Sequence, residues 1–486
     1  MATVTFCLVI LLSLAIALYS RRGHHHQGSR DFFVASGQFG GVLLFFLAVG
    51  ETYSIGSVLG FPAGTFSHGT AFIIWFLSYI VLAYPVGYFL NPWIWQAGRD
   101  HNAITMADLF RHHFGSRAVE IAMALNAILF LIPFGDLQFT GLLAVLQGFG
   151  WPVPTFVITT VAAVTAFFWV ALSGIRAPAY VSILKDVMMI VAVVAAGLAA
   201  LLASGHLPDV RQAGQDIARI RPTGREEAFA MSTVVLQAIG FCVAPQTIAF
   251  LFTGRSRRIV RRNQVLMPLY MLMFPFLYWV ADYARRSGMP LHAPNDAFMA
   301  VSLTLLPGWV DGLVAAACAL SALVVLAGIC LAIGPLVSHN LLHGLSDRQQ
   351  RYGAQIVIAV YLLFSIVSAA HASGLMIKFN TMYYFGVTQA APGIFAILAA
   401  RAVSPAAVVA GLVAGDLLSM GLYLGDIDLG GVNPGLVGLV ANALVLWGGS
   451  RLLPSRALVP ILHRAGAQAI EAKATKGRSP LEPWTL

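Results

Sequence analysis

About thirteen apolar stretches, each long enough to cross ~30 Å of hydrocarbon, divide this chain from end to end. They run roughly over 3–20, 39–66, 69–96, 118–148, 152–173, 178–203, 231–253, 264–285, 308–338, 353–371, 376–400, 404–424 and 431–453. No other feature constrains the fold as tightly. Inside a bilayer every backbone N–H and C=O must find a partner within the protein, which leaves helices or a closed barrel, and runs of this length are helical ones. Only 10% of the 486 residues are charged and 58% are hydrophobic, against roughly 25% charge in soluble domains. The fold class is therefore an all-α polytopic membrane protein.

The net charge of +9 does not point to nucleic acid, because the basic residues sit in short clusters between apolar runs, where topology explains them. Every second loop is the basic one: Arg21 to Arg30, Arg99 to Arg117, Arg176, Arg255 to Arg262, Arg348 with Arg351, Arg401, and a tail carrying Arg451, Arg456, Lys473, Lys476 and Arg478. The opposite loops are short, acidic (Asp426, Asp428) or long and mixed (204–230). This alternation places the N-terminus outside and the C-terminus in the cytoplasm of a cell (inner) membrane. The first apolar run has its positive charges after it rather than before it, which marks a retained helix and not a cleaved signal. Cys7, Cys242, Cys318 and Cys330 all fall within apolar runs and are expected to be reduced packing residues. His24, His25 and His26 are expected to be solvated loop residues. Thr105, with Asp108 three residues on, predicts a capped amphipathic helix at the inner surface.

Two of the apolar runs contain their own interruption. Gly50, Glu51, Thr52, Tyr53 and Ser54 fall in the middle of the second run, followed by Gly56, Gly60 and Pro62. Gly240 to Gln246, with Pro245, interrupts the seventh. Irregular backbone at membrane depth is tolerated only where protein or a water-filled cavity satisfies it, and an ionisable group there is a functional-site hypothesis by default. Setting the first run aside, these two are the first members of successive sets of five. That is the pointer to an inverted repeat of 5+5 helices whose substrate site lies at the breaks. The chain then divides into an extra helix and basic loop (1–30), a first five-helix repeat (31–203), an external loop (204–230), a second repeat (231–402), two further helices (403–453) and a cytoplasmic tail (454–486).

Other polar residues lie inside the membrane. Asp136 and Gln138 are in the third core helix, Ser182, Lys185 and Asp186 in the fifth, and Asn380, Thr381, Tyr383, Tyr384 and Gln389 in the tenth, after Lys378. A buried Lys185 needs a carboxylate, either Glu51 or Asp186. The helical period puts Lys185 on the face of Ser182 and turns Asp186 elsewhere. Snorkelling to the inner interface is the competing reading for Lys185, and a helix-packing hydrogen bond the competing one for Asp136.

With these residues in view, the chain resembles the sodium:solute symporter family over roughly 30–455. The resemblance rests on Asp31 to Gly37, on Ile104 to Phe110 with Phe114 to Arg117, and on Ser173 to Ala177. It is most similar to the monocarboxylate-uptake branch through Gly50 to Tyr53, Tyr84-Pro85, Asn91 to Trp95, Ile132 to Gln138, Ile175 to Asp186 and Pro245 to Thr247 ahead of Ser256 to Val260. The resemblance implies a LeuT-like fold, alternating access and uptake of a small carboxylate such as lactate, pyruvate, acetate or propionate. The family's sodium site would take carbonyls at Gly50 and Tyr53 and two hydroxyls from the eighth core helix. An ungapped reading puts those hydroxyls at Val324 and Val325, and a shifted one at Ala319 and Leu320, so Ser321 is the only mid-helix oxygen. A family acidic position in the fifth core helix falls at Ser182.

Hard cations want several oxygens, so the expectation is that the Lys185 charge replaces sodium and that transport is proton-coupled through Glu51. A desolvated lysine can give up its proton, which makes Lys185 the alternative carrier. Gly50, Glu51, Tyr53, Ser182, Lys185 and Ser321 are thus the expected coupling residues, and Tyr53, Ser54, Gln138, Gln246 and Thr247 the expected substrate ligands, the helix ends at the breaks favouring an anion. No cofactor or structural metal is expected beyond the coupling ion, H+ or else Na+. The partners are a small carboxylate and the lipid bilayer. An ordinary sodium symporter for another solute is the runner-up, and a sensor built on a transporter fold the next. No nucleophile–base pair, phosphate loop or metal-spaced cluster argues for an enzyme.

Overall fold

The computed structural model describes residues 1–22, 28–150, 154–205, 207, 222–371, 376–399 and 401–453, with backbone alone for 51, 52, 155 and 369–371. The histidine run at 24–26, most of the 204–230 loop and the 454–486 tail lie outside the described residues.

Helix α1 (Ala2–Tyr19) and the short α2 (Ser29–Val34) lead into the first set of five. That set opens with α3 (Gly41–Thr52) and α4 (Ile55–His68), followed by α5 (Thr70–Asp100), the surface helix α6 (Met106–Phe114), α7 (Arg117–Gly148), α8 (Thr155–Ser173) and α9 (Arg176–Ser204). The second set opens with α10 (Gly224–Val243) and α11 (Pro245–Thr253). Next come α12 (Arg257–Leu266), which continues through a 3-10 segment into α13 (Phe274–Arg286), then α14 (Ala297–Leu305), α15 (Gly308–Pro335) and α16 (Asp347–His371). The set ends with α17 (Met376–Val387) and α18 (Ala391–Leu398), and α19 (Pro405–Leu424) and α20 (Pro434–Leu452) follow.

Among the described residues, 11 helices are long and apolar enough to cross a membrane, or 12 with the bent pair α3/α4 counted as one. The eleventh expected run, 376–400, is helical but tightens to a 3-10 turn at Thr388–Ala390, so neither piece reaches a full span. Both expected breaks are present. Tyr53 (φ −104°, ψ 59°) and Ser54 (φ −82°, ψ 169°) leave the helical region between α3 and α4, which meet at 41°. Ala244 (φ −60°, ψ 141°) separates α10 from α11, with Pro245 at the first helical position, where its missing N–H costs nothing.

Burial follows the logic of a bilayer. Large apolar side chains such as Leu8, Val161, Phe364 and Leu417 face outward, where lipid would meet them. At the centre is α15, whose spanning window is 100% buried. Its Gly, Ala, Ser and Cys residues let neighbours approach closely, as membrane interfaces require; a Cβ on Gly328 would meet Phe250 at 2.7 Å. Helix α1 packs against α15 and α9. Cys242, Cys318 and Cys330 are buried free thiols, whereas Cys7 is on the exposed face of α1 and does not pack as expected.

The basic loops converge on one end of the molecule. Arg99 donates to the Arg255 carbonyl at 3.1 Å, Arg117 to the Leu341 carbonyl at 2.8 Å, and His113 faces the Arg401 carbonyl at 3.4 Å. At this end α6 carries the expected cap: the Asp108 carboxylate accepts from the N–H groups of Ile104 and Thr105 at 2.8 and 3.0 Å. Asn340, in a π-helical turn after α15, donates to Asp108 at 2.6 Å and Glu120 at 2.9 Å. Arg111 and Arg117 close on Glu120 at 2.6 and 2.8 Å. This network fastens α6, the start of α7 and the end of α15 to each other.

Candidate functional site

The first break is held by its unwound carbonyl. Once α3 stops at Thr52, the C=O of Tyr53 has no intrahelical partner. It accepts instead from the Ser321 hydroxyl of α15 at 2.9 Å and from the Lys185 ammonium of α9 at 3.4 Å. Lys185 Nζ also lies 3.2 Å from where a Cβ on Gly50 would be, so any larger residue at position 50 would crowd the ammonium. The side chains of Lys185 and Asp186 are 0% exposed and form an ion pair at 2.6 Å. Lys185 therefore does not snorkel.

Two expectations change here. Asp186 was expected to turn away from Lys185, because adjacent residues on a helix point about 100° apart. The long lysine stem bends back across that angle and closes the pair. Ser182 donates to the Ala179 carbonyl of its own helix at 2.8 Å, so its hydroxyl is committed to the α9 backbone and not to the break. Ser321 is the α15 residue that meets Tyr53, which puts Val324 and Val325 one turn along the same helix face. Both valines are buried and carry no side-chain oxygen. The Tyr53 ring packs between Tyr270 and Phe274, at 5.2 and 5.4 Å between centroids.

A cavity of about 30 Å³ lies on the other side of the same break. Its walls include Ser54 and Gly56 at the start of α4, Trp75 and Tyr79 on α5, Phe241 on α10 and Asn380 on α17. The first turn of α4 lines it through Ser54, Gly56 and Ser57, and a Cβ on Gly56 would meet Leu137 at 2.9 Å. Glycine here keeps the helix N-terminus bare, an arrangement suited to an anion. The volume is that of a water or two, so a solute larger than a few heavy atoms requires the aromatic walls to move.

The second break contributes from behind this wall. Gln246, in the first turn of α11, donates to the Tyr383 hydroxyl. Tyr383 stacks on Phe134 at 4.3 Å, and both rings line the cavity. Gln138, one turn beyond Phe134, donates to the Phe134 carbonyl at 3.3 Å. The side-chain oxygens of Gln138 and Gln246 are both buried without a hydrogen-bond partner, although a buried amide oxygen normally has one.

Of the expected substrate ligands, Ser54 lines the cavity. Gln138 and Gln246 lie one layer behind, reaching it through Phe134 and Tyr383, while Tyr53 points away and Thr247 is buried in the first turn of α11. Of the expected coupling residues, Gly50, Tyr53, Lys185 and Ser321 come together, whereas Ser182 does not join them. The Glu51 side chain lies outside the described residues. Asp136 accepts from Ser368 on α16 at 2.7 Å, the helix-packing bond named as its competing reading. Sequence reasoning missed Trp75, which donates to Gln237 of α10 at 3.1 Å and forms part of the cavity wall. Its only signal was the spacing of Trp75, Phe76 and Tyr79 along one apolar run.

The comparisons with known proteins bear on the family and the fold. Residues 32–415 match the sodium:solute symporter family. The chain is 28% identical over 424 residues to the uncharacterized symporter YhjB of Bacillus subtilis (strain 168), covering 84% of this chain and 86% of that one. It is 27% identical over 312 residues to a monocarboxylate transport permease protein of Rhizobium johnstonii, covering 62% of each chain. Among solved structures it is similar to a Na+-coupled sialic acid symporter in a substrate-bound outward-open state, with TM-score 0.78, 14% identity and coverage of 94% and 99%. The fold is thus the LeuT-like one, its two sets of five helices each led by a broken member, and the chain belongs to the sodium:solute symporter family.

Proposed function

We propose that this protein takes up a short monocarboxylate together with a proton, without sodium, and that Lys185 occupies the place a cation would fill. The observation that carries the reading is the Tyr53 carbonyl. Its lone pairs already accept from an ammonium and a hydroxyl, and the next turn of α15 brings Val324 and Val325. A sodium ion there would have to displace a buried charge and then find fewer oxygens than a hard cation wants.

Charge balance supplies the coupling. Lys185 and Asp186 together are neutral, and a buried pair tolerates little departure from that. A monocarboxylate arriving at the α4 N-terminus adds one negative charge, so one proton taken up at the pair restores neutrality for the loaded site. Lys185 is already an ammonium, so that proton goes to the Asp186 carboxylate; neutralising Asp186 loosens the ion pair while the ammonium keeps its bond to the Tyr53 carbonyl. Glu51 is the alternative proton carrier. The substrate class is supported by the bare start of α4 at Ser54–Gly56, by the orphaned amide oxygens of Gln138 and Gln246 that would orient a protonated or hydroxylated solute, and by the relative described as a monocarboxylate permease. Because the cavity holds only a water or two, the aromatic walls must open even for an acid of lactate or propionate size, which favours a small acid over a larger one. The basic end faces the cytoplasm in this reading, and the cavity faces outward.

The test is uptake of labelled lactate, pyruvate, acetate and propionate into proteoliposomes with either a proton or a sodium gradient. Acid-outside loading is expected to drive accumulation, with no response to sodium and little response to a potassium–valinomycin potential. Accumulation that needs sodium and ignores pH would sink the coupling reading. Silence with all four acids would sink the substrate reading.

A further inference from the structure

A second cavity, of about 330 Å³, lies at the end of the molecule that carries the basic loops and shares no lining residue with the central one. Three arginines from three elements converge on it: Arg30 in the first turn of α2, Arg99 in the last turn of α5 and Arg255 just after α11. Asn102 and Ser36 add polar atoms to the same wall. Arg30 donates to the Asn102 side chain, and Arg99 lies 5.2 Å from the Trp95 ring centroid while donating to the Arg255 carbonyl.

What is missing is a counter-charge. Three other arginines at this end have theirs, Arg111 and Arg117 on Glu120 and Arg176 on Asp31 at 2.7 Å. Among the described residues no carboxylate forms an ion pair with Arg30, Arg99 or Arg255. Asp100 accepts from Gln96 instead, at 2.7 Å. Arg30 Nε is moreover buried with no hydrogen-bond partner. Burial, and then the neighbouring Arg99 charge, lower the proton affinity of the Arg30 guanidinium below its ordinary value. Like charges gathered in a concave polar wall, one with an unused buried donor, constitute a site short of an anion.

We propose that this cavity binds a phosphate-class oxyanion, either a soluble phosphate or the headgroup of an anionic lipid, through the guanidinium groups of Arg30, Arg99 and Arg255. Planar guanidinium forks match phosphate oxygens two at a time. The cavity adjoins the seam where Phe39 N–H donates to the Thr253 carbonyl at 2.8 Å and Arg255 N–H to the Phe39 carbonyl at 2.9 Å. A bound oxyanion would therefore link the chain entering the first broken helix to the chain leaving the second, and favour the arrangement in which they touch.

The experiment is a thermal-stability titration of the full chain, purified in detergent and freed of native lipid. One arm uses sodium phosphate against sodium chloride at equal ionic strength. The other uses dioctanoyl phosphatidylglycerol against dioctanoyl phosphatidylcholine. A saturable rise in melting temperature is expected with phosphate, with phosphatidylglycerol or with both, and the pattern identifies the source: a response to the lipid alone means a headgroup. In the double variant Arg30→Gln/Arg99→Gln the half-saturating concentration is expected to rise at least about tenfold. Should that variant not elute as a single species, Arg255→Gln, on the exposed rim, serves the same comparison. Melting curves that respond to neither probe, or variants that saturate as the parent does, overturn the proposal.

Discussion

At the first break an ammonium and a hydroxyl meet one carbonyl, the ammonium itself held by an adjacent carboxylate. At the second break an amide meets a phenol, and no described charge takes part. The two breaks head equivalent five-helix sets, yet one is built around a buried ion pair and the other around neutral hydrogen bonds. The difference teaches how the labour is divided. The buried charges reside where α3, α9 and α15 join, and in the proposed function that junction is the one that takes up the proton. The neutral break can orient a solute, but it has no electrostatic state to switch.

The largest effect should come from breaking the charged side of this comparison. Lys185→Met leaves Asp186 buried without its partner, a change that typically costs 3–5 kcal/mol. Proton-driven uptake should fall to background and the melting temperature should drop. The double variant Lys185→Met/Asp186→Leu should regain much of the stability without regaining uptake, which separates folding from coupling. A junction that can be refitted for sodium would sharpen the contrast: Lys185→Ala with Val324→Thr and Val325→Ser should confer uptake or thermal stabilisation that depends on sodium, measured by titration against choline.

The neutral break should respond more mildly. Gln246→Leu removes the donor to Tyr383 and is expected to raise the half-saturating substrate concentration by about tenfold, equivalent to ~1.4 kcal/mol, while leaving the pH dependence of uptake unchanged. A shifted pH profile in that variant would erase the proposed distinction between the breaks.

The smallest effects should lie away from both breaks, in the network at the basic end. Asn340→Ala leaves Asp108 and Glu120 each short of a buried donor, at a cost of about 1–3 kcal/mol, visible as a lower melting temperature with coupling intact. Burial pushes the Asp108 carboxyl up, but the hydrogen bond and charge of His339 and the N–H groups of Ile104 and Thr105 outweigh it and hold it below the ordinary 3.8. Its stabilisation is therefore present above that value and lost as pH falls through the lower folded-state value. Asp108→Asn should flatten the acid limb of the stability curve.

Much of the fold was legible because lipid leaves so few solutions. Apolar length set the helices, the basic loops set which helix ends lie together, and Thr105 with Asp108 set a cap that forms as written. The breaks at Gly50–Ser54 and Gly240–Pro245 were legible because glycine and proline act on the backbone locally. The run at 376–400 showed the limit of length alone: Pro392, just past the 3-10 turn at Thr388–Ala390, cannot donate a helical bond back to Thr388, a local signal that a count of apolar length passes over.

The site was legible only where a residue's role follows from its type. A lysine or serine deep in an apolar run must find a partner, and Lys185 and Ser321 do. Which partner they find is a matter of how three helices cross. That is why Asp186 closes on Lys185 against the helical period, why Ser182 turns back on its own helix, and why Gln138 and Gln246 come to lie behind Phe134 and Tyr383 instead of in the cavity. The sequence by itself determined the helices, their alternation and the two points where they must unwind, because those depend on local chemistry and on the solvent. Only the tertiary structure decided which side chains satisfy the unwound carbonyl and which face the cavity, because those depend on distances between segments far apart in the chain.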